Sequence, residues 1–172
     1  MTKATQKEES STMETYKISI IGDAGTGKSS FIKRLLDDQF PETYVATLGV
    51  EVYPYKPQDN SHVCFNLWDT AGQARYAGLG DGYYASSDAC LVFVDIGDVR
   101  SLANLGEWVI KFREVCPEAP IIYVFNKSDS PVFNPPAIPE SVTMSCKFDT
   151  NVDSVIEALY DALDIDHCDN TM

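Results

Sequence analysis

The chain has 172 residues, 44% hydrophobic and 23% charged, which suits one folded domain and excludes a disordered or collagen-like polypeptide. Its longest uninterrupted apolar run, Ala89–Val94, is too short for a membrane-spanning helix. Thirteen Lys and Arg against 26 Asp and Glu give a net charge of −13, which argues against nucleic acid as a partner because nothing would replace its counterions.

Residues 1–15 lack apolar periodicity and read as a disordered tail, residues 16–165 as the folded domain and 166–172 as a C-terminal tail. Tyr16–Ile21 reads as a strand, and Ser29–Leu36 as a helix with Phe31, Ile32, Leu35 and Leu36 on one face. Glu51–Tyr55 and His62–Trp68 form a hairpin around a Pro/Asp/Asn turn. Ala89–Asp95 and Ile121–Phe125 are near-continuous apolar runs, as buried parallel strands require. Between them Leu102, Leu105, Val109 and Phe112 mark an amphipathic helix that ends before Pro117. Ser141–Met144 is a short strand, and Val152–Leu163 a last helix. Strands alternating with helices predict an α/β fold around a mostly parallel sheet. The five cysteines are odd in number and form no C-x-x-C, so they are expected to be reduced thiols. With no apolar signal core near Met1, the expected location is cytoplasmic or nuclear.

Three motifs carry chemistry. Gly22-Asp23-Ala24-Gly25-Thr26-Gly27-Lys28-Ser29 fits G-x-x-x-x-G-K-[ST] between a strand and a helix. Its glycines let backbone N–H groups surround phosphate oxygens, Lys28 adds positive charge, and the Ser29 hydroxyl can ligate Mg²⁺. Trp68-Asp69-Thr70-Ala71-Gly72-Gln73 ends a strand: Asp69 can hold a water of a metal shell, Gly72 can offer its N–H to a γ-phosphate, and Gln73 can orient an attacking water. Asn126-Lys127-Ser128-Asp129 ends another strand, where the Asp129 carboxylate can accept the paired N–H donors of guanine that adenine lacks. Each has a plainer reading as a turn at a strand end, and Asn126-Lys127-Ser128 also fits a glycosylation sequon. Gly78-x-Gly80-x-Gly82 is no dinucleotide fingerprint, since it follows no strand and Tyr83 stands where the last Gly belongs.

In this order and spacing the motifs resemble the Ras-superfamily small GTPases over about residues 16–165, and within the superfamily the Ran branch that serves nuclear transport. Tyr44-Val45-Ala46-Thr47-Leu48-Gly49-Val50-Glu51-Val52 is similar to the first switch segment of that branch, and Asp81-Gly82-Tyr83-Tyr84 to the end of its second. The resemblance implies a P-loop GTPase fold with a six-stranded, mostly parallel sheet and one antiparallel strand. It implies a switch that binds GTP and GDP with Mg²⁺ and hydrolyses GTP slowly. Thr47 would join Ser29 on the metal, Phe40 pack on the guanine and Gln73 be catalytic, with Ser145-Cys146-Lys147 at the family's Ser-Ala-Lys. The nucleotide-binding candidates are then Asp23, Ala24, Gly25, Thr26, Gly27, Lys28, Ser29, Ser30, Phe40, Tyr44, Thr47, Asp69, Gly72, Asn126, Lys127, Asp129, Ser145, Cys146 and Lys147. Implied partners are effectors, exchange factors and GTPase-activating proteins, nuclear-transport factors among them, with the protein acting as a monomer. Cys168 is one place off a prenylation box, so no membrane anchor is expected.

Four departures accompany the resemblance. Ala24 stands where the family has Gly, so its methyl points at the γ-phosphate region; a steric block that leaves a GTP-loaded scaffold or decoy, and a tolerated small side chain, both stay open. Ala74 replaces a Glu used in nucleotide exchange. Ser130–Glu140 carries four prolines, which forbid the family's helix before the last strand and predict an extended loop. Asp149, Asp153, Glu157 and Asp161 recur at i, i+4 spacing, either as a solvated face or as a dock for a basic partner. A P-loop kinase for a small metabolite is the competing class, and it leaves the Asp69 and Asp129 motifs without work.

Overall fold

The computed structural model describes residues 12–72, 80–131 and 135–166. The elements run β1 (Glu14–Gly22), α1 (Lys28–Asp37), β2 (Val50–Tyr55), β3 (Val63–Thr70), α2 (Gly80–Tyr84), β4 (Ala89–Asp95), α3 (Val99–Val115), β5 (Ile121–Asn126), β6 (Ser141–Thr143) and α4 (Asp153–Ala162). They build a six-stranded sheet in the order β2-β3-β1-β4-β5-β6. Only the β2–β3 pairing is antiparallel, in a register running from Val50 opposite Thr70 to Tyr55 opposite Phe65. The expected α/β fold, with its single antiparallel edge strand, is the observed one.

Apolar residues alternate along the strands and bury both faces, which is why β1, β4 and β5 read as continuous apolar runs. Ile18, Ile20, Leu91 and Phe93 face Phe31 and Ile32 of α1 and Val155, Leu159 and Tyr160 of α4. Ile21, Val92, Val94 and Phe125 face Tyr84 of α2 and Leu105, Trp108 and Phe112 of α3. The result is three layers, helix–sheet–helix.

Boundaries differ from expectation where tertiary pairing decides them. β1 starts at Glu14 rather than Tyr16, because Glu14 and Thr15 pair with Val63 and Cys64. α3 starts at Val99, one turn before Leu102, because the Asp98 side chain caps it by accepting from the Arg100 N–H. Asp149 falls outside α4, in a left-handed conformation (φ 55°), so the acidic face on that helix is Asp153, Glu157 and Asp161. Leu36, placed on the buried face of α1, is 39% exposed. α2 was not foreseen in the Gly-rich stretch that holds it. No helix lies between β5 and β6 among the described residues, in line with the proline-rich reading. The cysteines Cys64, Cys90, Cys116 and Cys146 are buried free thiols, and Cys168 lies outside the described residues. No described helix is long and apolar enough to cross a membrane.

Candidate functional site

β1 is flanked by β3 on one side and β4 on the other, so the strand order reverses there, and a crevice opens beyond the carboxyl ends of the parallel strands. The loop from β1 to α1 enters it. Gly27 caps α1 with φ 99° and, lacking a side chain, makes no cap hydrogen bond, an arrangement in which the first-turn amides can serve an anion. Glycine is needed at this position twice over: the backbone is left-handed, and a Cβ would overlap Nδ2 of Asn126. The same Asn126 amide donates to the Thr26 carbonyl at 2.9 Å, locking the phosphate-type loop to the end of β5.

Lys28 is 6% exposed and donates through Nζ to the carbonyls of Gly22 (2.9 Å) and Asp23 (2.8 Å). Burial pulls its pKa down to about 8, against the opposing pull of the Asp69 and Asp23 carboxylates. With two of its three N–H donors on carbonyls, the Lys28 ammonium keeps one that an anion can use.

Beside it three oxygens converge, from α1, from β3 and from the loop that precedes β2. Ser29 Oγ on α1 donates to Asp69 Oδ2 on β3 at 2.5 Å, Thr47 Oγ1 lies 3.3 Å from the same oxygen, and the two hydroxyls are 2.9 Å apart. Asp69 Oδ1 is buried with no hydrogen-bond partner among the described residues. Burial raises the Asp69 pKa, while the Ser29 hydroxyl and the Lys28 charge oppose the rise. An orphaned carboxylate oxygen beside two hydroxyls fits a hard divalent cation such as Mg²⁺, reached directly or through water.

Gly72, just after β3, lies against the loop: its carbonyl accepts from the Ala24 N–H at 3.0 Å. At the far end, the Ser145 hydroxyl donates to Asp129 Oδ1 at 2.6 Å, and the Cys146 N–H donates to Asn126 Oδ1 at 3.2 Å. Lys127, left-handed at φ 65°, places Nζ 2.5 Å from Asp95 Oδ2. Burial pushes the Cys146 thiol up to about 12, so it is a neutral wall group.

These pieces line a cavity of about 310 Å³. Of the sequence candidates, Ala24, Gly25, Gly27, Lys28, Ser29, Ser30, Phe40, Tyr44, Thr47, Gly72, Asn126, Lys127, Asp129, Cys146 and Lys147 face it. Asp69, Thr26 and Ser145 stand behind the lining and orient it. The Asp23 side chain turns away from the cavity toward α3, where Asn104 and Trp108 hold it. Gln73 and Ala74 lie outside the described residues. Sequence reasoning missed Lys33, Pro41, Glu42, Thr43 and Val45, which also line the cavity. Lys33 was within reach, since it follows Ser29 by one helical turn; the other four sit in an irregular loop with no periodicity to read. Lys28, Lys33, Lys127 and Lys147 give an acidic protein a cationic pocket.

Residues 17–129 match the family model described as Ras of Complex, Roc, domain of DAPkinase, a span that holds the loop, the Asp69 strand end and the Asn126–Asp129 turn. The chain therefore belongs to the Roc family of Ras-like GTPase domains, whose members are GTP-binding switches.

Proposed function

We propose that the protein is a guanine-nucleotide switch that binds GTP and GDP with Mg²⁺ in the cavity beyond β1, β4 and β5 and hydrolyses GTP slowly. The observation that carries this reading is the pocket's two chemically distinct ends, a lysine-and-amide loop at Gly22–Ser30 and a carboxylate at Asp129 oriented by Ser145. A guanine nucleotide needs both.

The amides at the α1 start, which no cap side chain of Gly27 occupies, and the Lys28 ammonium meet the phosphate charge, and Lys33 adds a second positive group on the same helix. Asn126 ties the base end to the phosphate end, so the two are held at a fixed separation. Phe40, 40% exposed, supplies an aromatic surface for the base. Ser29 and Thr47 would hold Mg²⁺ with Asp69 behind them, and the ion would neutralise charge developing on the phosphates. Gln73, next in the chain after Gly72, is assigned to orient the attacking water. Thr47 and Gly72, which both line the cavity, are assigned to sense the γ-phosphate and belong to the two segments that partners would read, about Phe40–Val50 and Gly72–Gly82.

Within the superfamily we favour a Ran-like switch, on the run Tyr44–Val52 and the Asp81–Tyr84 segment. The proline-rich connector removes a surface of that branch, so effectors and regulators need not be the same ones. A second reading, a GTP-loaded module with little turnover, rests on Ala24: its methyl sits on the cavity wall beside the Gly72 contact, where an inserted arginine would have to fit.

Asp129→Asn tests the guanine assignment. The variant is expected to lose GDP affinity by 10-fold or more and to gain xanthosine diphosphate by a similar factor, because one of the two acceptor oxygens becomes an N–H donor that opposes the exocyclic amine of guanine and suits the carbonyl of xanthine, a mismatch that costs about 1–3 kcal/mol. Unchanged tight GDP binding would remove Asp129 from the base site.

A further inference from the structure

The carboxylate of Asp23 stands inside the phosphate loop yet faces away from the cavity. Its Oδ1 accepts from Trp108 Nε1 at 2.8 Å and its Oδ2 from Asn104 Nδ2 at 2.9 Å. Asn104 and Trp108 are four residues apart on α3, hence on one face one turn apart, and Trp108 is buried. The main-chain carbonyl of the same Asp23 accepts from Lys28 Nζ at 2.8 Å and from Thr26 Oγ1 at 2.9 Å. One residue thus grips a helix more than 80 positions away with its side chain and the phosphate lysine with its backbone.

We propose that Asp23 is a positioning residue through which Asn104 and Trp108 of α3 set the orientation of Lys28, and with it the affinity for nucleotides that carry a β-phosphate. The bonding is of a kind that fixes direction. Two neutral donors hold both carboxylate oxygens in a part-buried place, and hydrogen bonds to an ionised group are the stronger class. With the side chain fixed, the Asp23 peptide plane cannot rotate, and its carbonyl keeps Lys28 Nζ at the mouth of the loop. The donors also draw a negative charge away from incoming phosphate oxygens. A solvent-exposed Asp at this position would instead repel them.

The proposal rests on the guanine-nucleotide reading, and its test separates the two. GMP shares base, ribose and α-phosphate with GDP but lacks the β-phosphate that Lys28 reaches. Binding of fluorescently labelled GDP, with GMP and GDP as competitors, is measured for the wild type and for Trp108→Phe, Asn104→Asp and the double variant Asp23→Asn/Asn104→Asp. Trp108→Phe deletes one donor and keeps an aromatic ring in the core. Asn104→Asp sets two carboxylates against each other. In the double variant the polarity is exchanged: the amide of position 23 donates to the carboxylate of position 104 while its oxygen still accepts from Trp108.

The expected result is about a 10-fold loss of GDP affinity in each single variant, GMP affinity within twofold of wild type, and recovery of most of the GDP loss in the double variant. A merely structural lesion would lower both nucleotides together and would not be repaired by the exchange. Equal losses for GDP and GMP, a GDP affinity unchanged in the single variants, or no recovery in the double variant would each overturn the proposal. A wild-type protein that binds neither nucleotide would overturn the guanine reading itself, and this inference with it.

Discussion

Gly72→Ala is a one-methyl perturbation with a definite steric consequence. A Cβ at this position would lie 2.5 Å from the Asp23 carbonyl carbon and 2.7 Å from its oxygen, and closer still to the Ala24 nitrogen. All three are backbone atoms of a loop pinned by Lys28 and α3, so no side-chain rotation relieves the overlap. Gly72 is not among the left-handed glycines, which makes the cost one of contact rather than of backbone conformation. Overpacking by a methyl costs about 1–3 kcal/mol, and losing the hydrogen bond from the Ala24 N–H to the Gly72 carbonyl adds about 1 kcal/mol. The contact of the segment after β3 with the phosphate loop should therefore weaken by about 2–4 kcal/mol relative to wild type, and under the proposed function Gln73, which follows Gly72 in the chain, then loses its hold on the attacking water. Single-turnover hydrolysis of GTP should slow by at least about 30-fold, and GDP affinity should fall as well, since the methyl meets the Asp23 carbonyl that also accepts from Lys28 Nζ. The assay is a quench-flow time course on preloaded protein, paired with fluorescent GDP binding. Hydrolysis within twofold of wild type would refute the reasoning, because it would mean that the contact of Gly72 with the loop has no part in the reactive arrangement.

The buried Lys28 predicts a pH dependence. Its folded pKa is depressed to about 8 and bound phosphate favours the charged form, so GDP affinity should be full below about pH 8 and fall by up to about 10-fold per unit above it, as binding then requires proton uptake; Lys28→Met should bind weakly at every pH and lose this slope. For stability the sign is opposite: without nucleotide, the folded chain binds fewer protons at Lys28 than the unfolded chain between about 8 and 10.5, so this group's contribution rises with pH across that window, and a comparison of melting temperatures for wild type and Lys28→Met should show the difference narrowing there. Ala24→Gly should raise single-turnover hydrolysis if the methyl blocks the reactive arrangement; an unchanged rate would sink the GTP-loaded reading. Leu159→Ala, at a fully buried position on α4, should cost about 2–5 kcal/mol in urea unfolding without moving the GDP-to-GMP affinity ratio, since α4 does not line the cavity.

Local chemistry made the phosphate loop, the Asp69 strand end and the Asn126–Asp129 turn legible, because each needs particular residue types at fixed spacing next to a strand. The sheet was legible because β4 and β5 are apolar on both faces, and the proline-rich run between β5 and β6 ruled out a helix by geometry alone. What escaped depends on partners distant in the chain. The start of β1 at Glu14 is set by pairing with Val63, and nothing in the first fifteen residues announces it. The orientation of Asp23 is decided by Asn104 and Trp108, which read as members of an amphipathic helix and gave no sign of reaching the loop. Pro41, Glu42, Thr43 and Val45 line the cavity from an irregular segment whose path follows from its ends, not from a pattern.

The central claim, guanine-nucleotide binding with slow turnover, is tested most directly by denaturing the purified protein and identifying the released nucleotide by chromatography. The account predicts close to one equivalent of GDP per chain. GTP in its place would keep the site and contradict the turnover, and a protein that releases no guanine nucleotide and binds no added GTP would contradict the claim itself.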